Sequence, residues 1–156
     1  MVQVKCEYIN IPKKSGTDYF VFVNIEVSGH AEHTGYDKNI KVCAGISACC
    51  YGINRLINSE QYSLEYKSGY FHCWTDRIKT LKALDKDSVY ALNTLVCQLY
   101  EIYCQYPNAF KSFEIVDVKE KYDYERKQNT KPKHRKTKHR VGFNCLIQET
   151  HLEENW

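Results

Sequence analysis

Two stretches within the first 28 residues restrict this chain to folds built around a sheet. Val2, Val4, Cys6 and Tyr8 alternate with Gln3, Lys5 and Glu7, and Val21, Val23, Ile25 and Val27 alternate with Phe22, Asn24 and Glu26. Successive strand side chains point to opposite faces, so a period of two predicts two strands that each bury one face. Pro12-Lys-Lys-Ser-Gly16 interrupts the pattern, and the two strands are expected to pair as an antiparallel hairpin.

The second strand delivers the chain to Gly29 and His30. Residues 32–41 are mostly polar, with Gly35 as their glycine, and predict a mobile loop. From Val42 the spacing of Ile46, Cys49, Cys50, Ile53, Leu56 and Ile57 predicts a buried central helix. Its Ala44, Gly45 and Ala48 would let it lie close against the sheet. Leu64–Lys67 and Tyr70–Trp74 flank Ser68-Gly69, a two-residue hairpin turn. Residues 76–86 show no clear period. Asp85 to Ser88 can cap a second helix, whose Val89, Leu92, Leu95, Val96, Leu99, Ile102, Tyr103 and Tyr106 recur at three and four residues until Pro107 stops it. A last strand follows, with a bulge expected near Ile115-Val116, where the apolar phase shifts by one. The order β-β-α-β-β-α-β predicts an α+β domain over residues 1–118, with two helices on one face of a mixed or antiparallel sheet. Residues 119–156 form a basic C-terminal extension.

At 156 residues the chain suits one domain with its own core plus an appendage. No stretch approaches the roughly 20 apolar residues that span a bilayer, and the N-terminus lacks a signal-peptide pattern, so the expected address is cytoplasmic. The eight cysteines are accordingly expected as reduced thiols. The net charge of +3 is unevenly spread: residues 126–140 hold eight Lys or Arg and no acid. A phosphate-cradling glycine loop, a dinucleotide fingerprint, His-Glu-x-x-His and Cys-x-x-Cys are all missing, which leaves no expectation of a cofactor or a metal.

What remains is a thiol and an imidazole. His30 ends a strand, and Cys43 is expected at a helix start, where the macrodipole favours thiolate; a loop that folds back would join base and nucleophile. Gly29-His30-Ala31 and Val42-Cys43-Ala44-Gly45, with Ser47-Ala48, resemble the two signature segments of the bacterial ribosomal-processing cysteine protease family, Prp. The resemblance covers roughly residues 1–118. It implies that Cys43 and His30 form a catalytic dyad and that the enzyme needs no cofactor. It also implies a homodimer that removes a short N-terminal extension from large-subunit ribosomal protein number twenty-seven, cutting after an aromatic residue. Two departures stand out. Ile40 occupies the place of the family's Asp three residues before the nucleophile, and the interval from His to Cys is one residue longer. Asp37 and Asn39 are the candidates to replace that Asp.

Other residues could support the site. Gly29 shapes its turn, Ser47 lies one helical turn after Cys43, and His33 either holds substrate or is a solvated loop residue. Tyr36, Tyr70, Phe71 and Trp74 are available to line a groove for an aromatic side chain, and backbone N–H groups at the helix start are candidates for an oxyanion hole. Cys6 and Cys73 read as inward strand positions, and Cys49, Cys50, Cys97 and Cys104 as buried helical ones. Two alternatives stay open. In one, the domain is a non-enzymatic adaptor that binds the ribosome or ribosomal RNA through Arg126, Lys127, Lys131, Lys133, Arg135, Lys136, Lys138 and Arg140. In the other, His30, His33 and Cys43 join a further Cys around zinc, at a spacing that fits no standard pattern.

Overall fold

The two alternating runs become the longest strands of a five-stranded sheet. The computed structural model describes residues 1–12, 18–76 and 84–120. β1 (Val2–Pro12) and β2 (Asp18–Ser28) pair antiparallel, with Val4 opposite Val27 and Cys6 opposite Ile25. Cross-strand partners share a face, so the apolar residues of both strands meet on one side, where they are buried. β3 (Ser63–Lys67) and β4 (Tyr70–Trp74) form the second hairpin. Gly69 takes φ 70° in its turn, the left-handed region that favours glycine. β4 pairs antiparallel with β2, and β5 (Phe110–Asp117) runs parallel to β1, giving the order β3-β4-β2-β1-β5 in a mixed sheet. A parallel neighbour requires a crossover, which α2 (Lys86–Gln105) supplies.

The order β-β-α-β-β-α-β and the α+β class are as the sequence predicts, with both helices on the apolar face. α2 begins at its expected cap: Asp85 accepts hydrogen bonds from the Ser88 N–H at 3.1 Å and the Ser88 hydroxyl at 2.8 Å. The same Ser88 oxygen accepts from the Asn58 N–H, tying the cap to the segment before β3. Val89, Leu92, Leu95, Val96 and Leu99 of α2 are at most 1% exposed, each burial worth roughly 2 kcal/mol. Tyr106 and a short 3-10 turn, Pro107–Ala109, end the helix and lead into β5.

α1 (Tyr36–Ile53) departs from expectation at its start and in its depth. It begins six residues before Val42, because Gly35 turns the chain and its carbonyl accepts the first helical hydrogen bond, from Asn39 N–H at 2.9 Å. Asp37, Lys38 and Lys41 are exposed, so the polar run that read as loop is the solvent face of a helical turn. α1 buries one stripe, Val42, Ile46, Cys50 and Ile53, and is not buried all round. Ala44 and Ala48 are exposed; Gly45 is the small residue that matters, since a β-carbon there would lie 3.4 Å from Ile102 of α2. The bulges also fall elsewhere. Register shifts lie between Glu7 and Tyr8 against β2, and between Val2 and Gln3 against β5; Ile115 and Val116 stay in register opposite Cys6 and Glu7. The apparent phase shift is an exposed valine on an edge strand.

Candidate active site

β2 ends at Ser28, and the next three residues bring the chain across the β3–β4 turn and onto α1. Gly29 N–H donates to Gly69 O at 2.9 Å, with Gly29 at φ 88°. A β-carbon at Gly29 would collide with the Met1 carbonyl, so glycine is required twice over. The exposed imidazole of His30 lies against Gly69, where an added β-carbon would stand 2.5 Å from Nε2. Ala31 then donates its backbone N–H to Cys43 Sγ at 3.3 Å. The thiol is half-buried, and the structure shows no hydrogen bond between it and the imidazole.

Cys43 stands seven residues into α1, about 10 Å beyond its first residue at 1.5 Å per residue. The macrodipole effect fades within the first turn, and helical N–H groups at this depth are committed to carbonyls one turn back. Neither thiolate stabilisation by the helix terminus nor an oxyanion hole at the helix start therefore applies. The donor that reaches sulfur comes from the loop.

That loop is held by Asn39, whose side-chain oxygen accepts from both the N–H and the hydroxyl of Thr34. Of the two candidates to replace the missing Asp, Asn39 thus grips the loop. Asp37 is exposed in the first turn of α1, outside the cleft. Ile40, 49% exposed, presents an apolar side chain to the cleft instead of a carboxylate. Ser47 lines the cleft one turn beyond Cys43. His33 adopts φ 68° and points outward, 3.5 Å from Glu32. Among the described residues no group of three His, Cys, Asp or Glu could hold a metal ion.

The cleft itself, about 710 Å³, runs between α1 and the β3–β4 hairpin. Tyr36, Tyr70 and Phe71 line it as expected of them; Trp74 does not, because it stacks on His72 on the opposite face of the sheet. Tyr51 of α1 and Tyr66 of β3 meet edge to face at 5.3 Å along its wall, a pair that helix and strand periods read separately had not joined.

Residues 12–111 match the family of the cysteine protease Prp. The chain belongs to that family. Similar solved structures include the essential ribosomal processing protease Prp from S. aureus in complex with a substrate peptide, at 20% identity and TM-score 0.53 over 74% of this chain and 100% of that one. A Streptococcus mutans protein matches at 21% identity and TM-score 0.48, over 75% of this chain and 95% of that one. A search of curated proteins gives no match.

Within this Prp-family protein the remaining thiols divide by burial. Desolvation pushes the Cys6 thiol far up, with Cys50 adding to it; it raises Cys50 to about 12, helped by Cys49, and Cys73 to about 12 by burial alone. Burial also raises Cys49 and Cys97. Cys104, expected inside, is exposed because its helix turns that side outward. The basic residues from Arg126 to Arg140, and Cys145, lie outside the described residues, and among those described no helix is long and apolar enough to cross a membrane.

Proposed function

We propose that this chain is a cysteine endopeptidase that removes the N-terminal extension of bacterial large-subunit ribosomal protein number twenty-seven during ribosome maturation, with Cys43 as nucleophile and His30 as proton carrier. The observation that carries this reading is the Ala31 N–H donating to Cys43 Sγ in the cleft that His30 also lines. This backbone hydrogen bond holds the residue next to His30 over the nucleophile.

The chemistry is acyl transfer. His30 takes the thiol proton; the thiolate adds to the scissile carbonyl carbon, forming the C–S bond and placing negative charge on the carbonyl oxygen. The Ala31 N–H is the candidate donor to that oxygen. Collapse of the intermediate breaks the C–N bond as His30 gives its proton to the leaving amine, and water, deprotonated by His30, then releases the acyl group from sulfur. The imidazole, backed by Gly69, makes no hydrogen bond to Sγ without substrate, in keeping with catalytic hydrogen bonds that tighten only around substrate. Tyr36, Phe71 and the Tyr51–Tyr66 pair offer the apolar wall for an aromatic side chain beside the cut.

The same reading assigns Gly29, Asn39 and Ser47 to support of the site, a cytoplasmic address, and a homodimeric state. The basic residues from Arg126 to Arg140 would tether the enzyme to ribosomal RNA. Incubation with the purified ribosomal protein carrying its extension, followed by mass spectrometry, tests the reading. A single new N-terminus after an aromatic residue is expected; an intact substrate refutes it.

A further inference from the structure

The helices cover one face of the sheet; on the other, Gln3, Lys5 and Glu65 are exposed and Glu26 is half-buried among the described residues. On it Tyr70, His72 and Trp74 form a ladder along β4, with His72 stacked on Trp74 at 4.3 Å and Tyr70 edge-on to His72 at 6.3 Å. Glu26 of β2 and Glu65 of β3 flank His72 in register, one on each side. Across the same row come Lys5 and then Glu114. Lys5 is occupied by Glu7 at 3.4 Å, and Lys67 lies over the Tyr70 ring at 5.5 Å. Glu26, Glu65 and Glu114 form no ion pair among the described residues. Desolvation, then Glu26, then Glu65 raise the Tyr70 phenol above its usual value.

This face adjoins the cleft. Tyr70 belongs to both, and the turn at Ser68-Gly69, against which His30 rests, is the rim between them. From Gly69 to His72 is three strand residues, about 10 Å, so a polypeptide leaving the thiol over this rim reaches the ladder within a few residues. Unpaired carboxylates beside π faces fit one chemistry: Lys and Arg side chains, which pair with the carboxylates and lie over the rings.

We propose that the open face of the sheet, centred on Glu26, Glu65, His72 and Trp74, is an exosite for a Lys/Arg-rich segment of the protein substrate lying outside the cleft. The inference rests on the protease reading and deepens it: the cleft selects the bond, and the sheet face selects a basic protein to carry it. Rim charges act mainly on encounter and on salt dependence, so the effect belongs in KM and not in kcat.

The test compares two peptides, a short neutral one spanning the cut and the same peptide prolonged by a segment of alternating Lys and Gly. With Glu26→Gln/Glu65→Gln in the full chain, KM for the prolonged peptide is expected to rise about fivefold, at unchanged kcat, with KM for the short peptide unmoved. Trp74→Ala is expected to act in the same direction. The wild-type preference for the prolonged peptide should shrink as salt rises. A readout free of cleavage is fluorescence anisotropy of the labelled Lys/Gly segment alone, which should bind the wild type and lose affinity for the double variant. An equal effect on both peptides overturns the exosite, because it marks a disturbed cleft. An unchanged KM and anisotropy overturn it too, and leave the face to the chain's own basic residues or to nothing. A change of sedimentation in the double variant overturns it in favour of a contact between two copies. Failure of both peptides to be cut by the wild type speaks against the protease reading, whereas the anisotropy result stands on its own.

Discussion

Gly69→Ala isolates the role of the β3–β4 turn in placing the imidazole. The added β-carbon would stand 2.5 Å from His30 Nε2. Ordinary contact needs about 3.5 Å, so the ring must retreat by about 1 Å. A misplacement of that size costs on the order of 100-fold in rate, about 2.7 kcal/mol of transition-state stabilisation. The fold loses less. At φ 70° an L side chain costs roughly 1–2 kcal/mol, which a shift of the urea midpoint would report. Gly69→Asn separates the two effects, since Asn tolerates the left-handed region but brings the same β-carbon: its stability should lie nearer the wild type while its activity falls as far. The assay is kcat/KM on a short peptide alongside urea unfolding. If Gly69→Ala cleaves within twofold of the wild type while folded, His30 is not held there for catalysis and the proposed dyad loses its positioning argument.

Three further outcomes are expected. Iodoacetamide at neutral pH should label Cys43 and the exposed Cys104 in the native protein and leave Cys6, Cys50 and Cys73 untouched until unfolding, since burial raises those three thiols and keeps them protonated; native labelling of Cys50 would contradict the placement of α1. Asn39→Ala removes the acceptor that grips Thr34, so amide exchange over residues 30–35 should quicken and kcat/KM should fall about tenfold with stability nearly kept; unchanged exchange would show that Asn39 is not the latch. The full chain should bind structured RNA with a log–log salt slope of about −5, steeper than that of a chain ending at Lys119, while both cut a short peptide alike; equal slopes would remove the tether.

The fold was legible wherever burial has a period. Alternation exposed β1 and β2 because each has one covered face, and three-four spacing exposed α2 because its apolar stripe packs without interruption from Val89 to Leu99. The first two turns of α1 were hidden for the opposite reason: Asp37, Lys38 and Lys41 are exposed on a helix whose burial starts only at Val42, so polarity imitated a loop. The site was legible in its residue types and not in its contacts. Gly29, His30 and Cys43 announce themselves by motif. That sulfur receives the Ala31 N–H, that Gly69 backs the imidazole, and that Tyr51 meets Tyr66 depend on how a hairpin 40 residues downstream lies beside α1, which no local pattern encodes. Trp74 shows the same limit in reverse: an aromatic near the site in sequence faces the other side, because strand neighbours alternate.

One sulfur atom carries the proposed chemistry. Cys43→Ala removes it at a half-buried position in a helix that accepts alanine readily, so the protein should unfold within about 1 kcal/mol of the wild type. Its kcat/KM on the ribosomal protein bearing its extension should fall to the uncatalysed background, a loss of at least about 10³-fold. Folded Cys43→Ala that still shortens the substrate at the wild-type bond would contradict the claim that this thiol is the nucleophile.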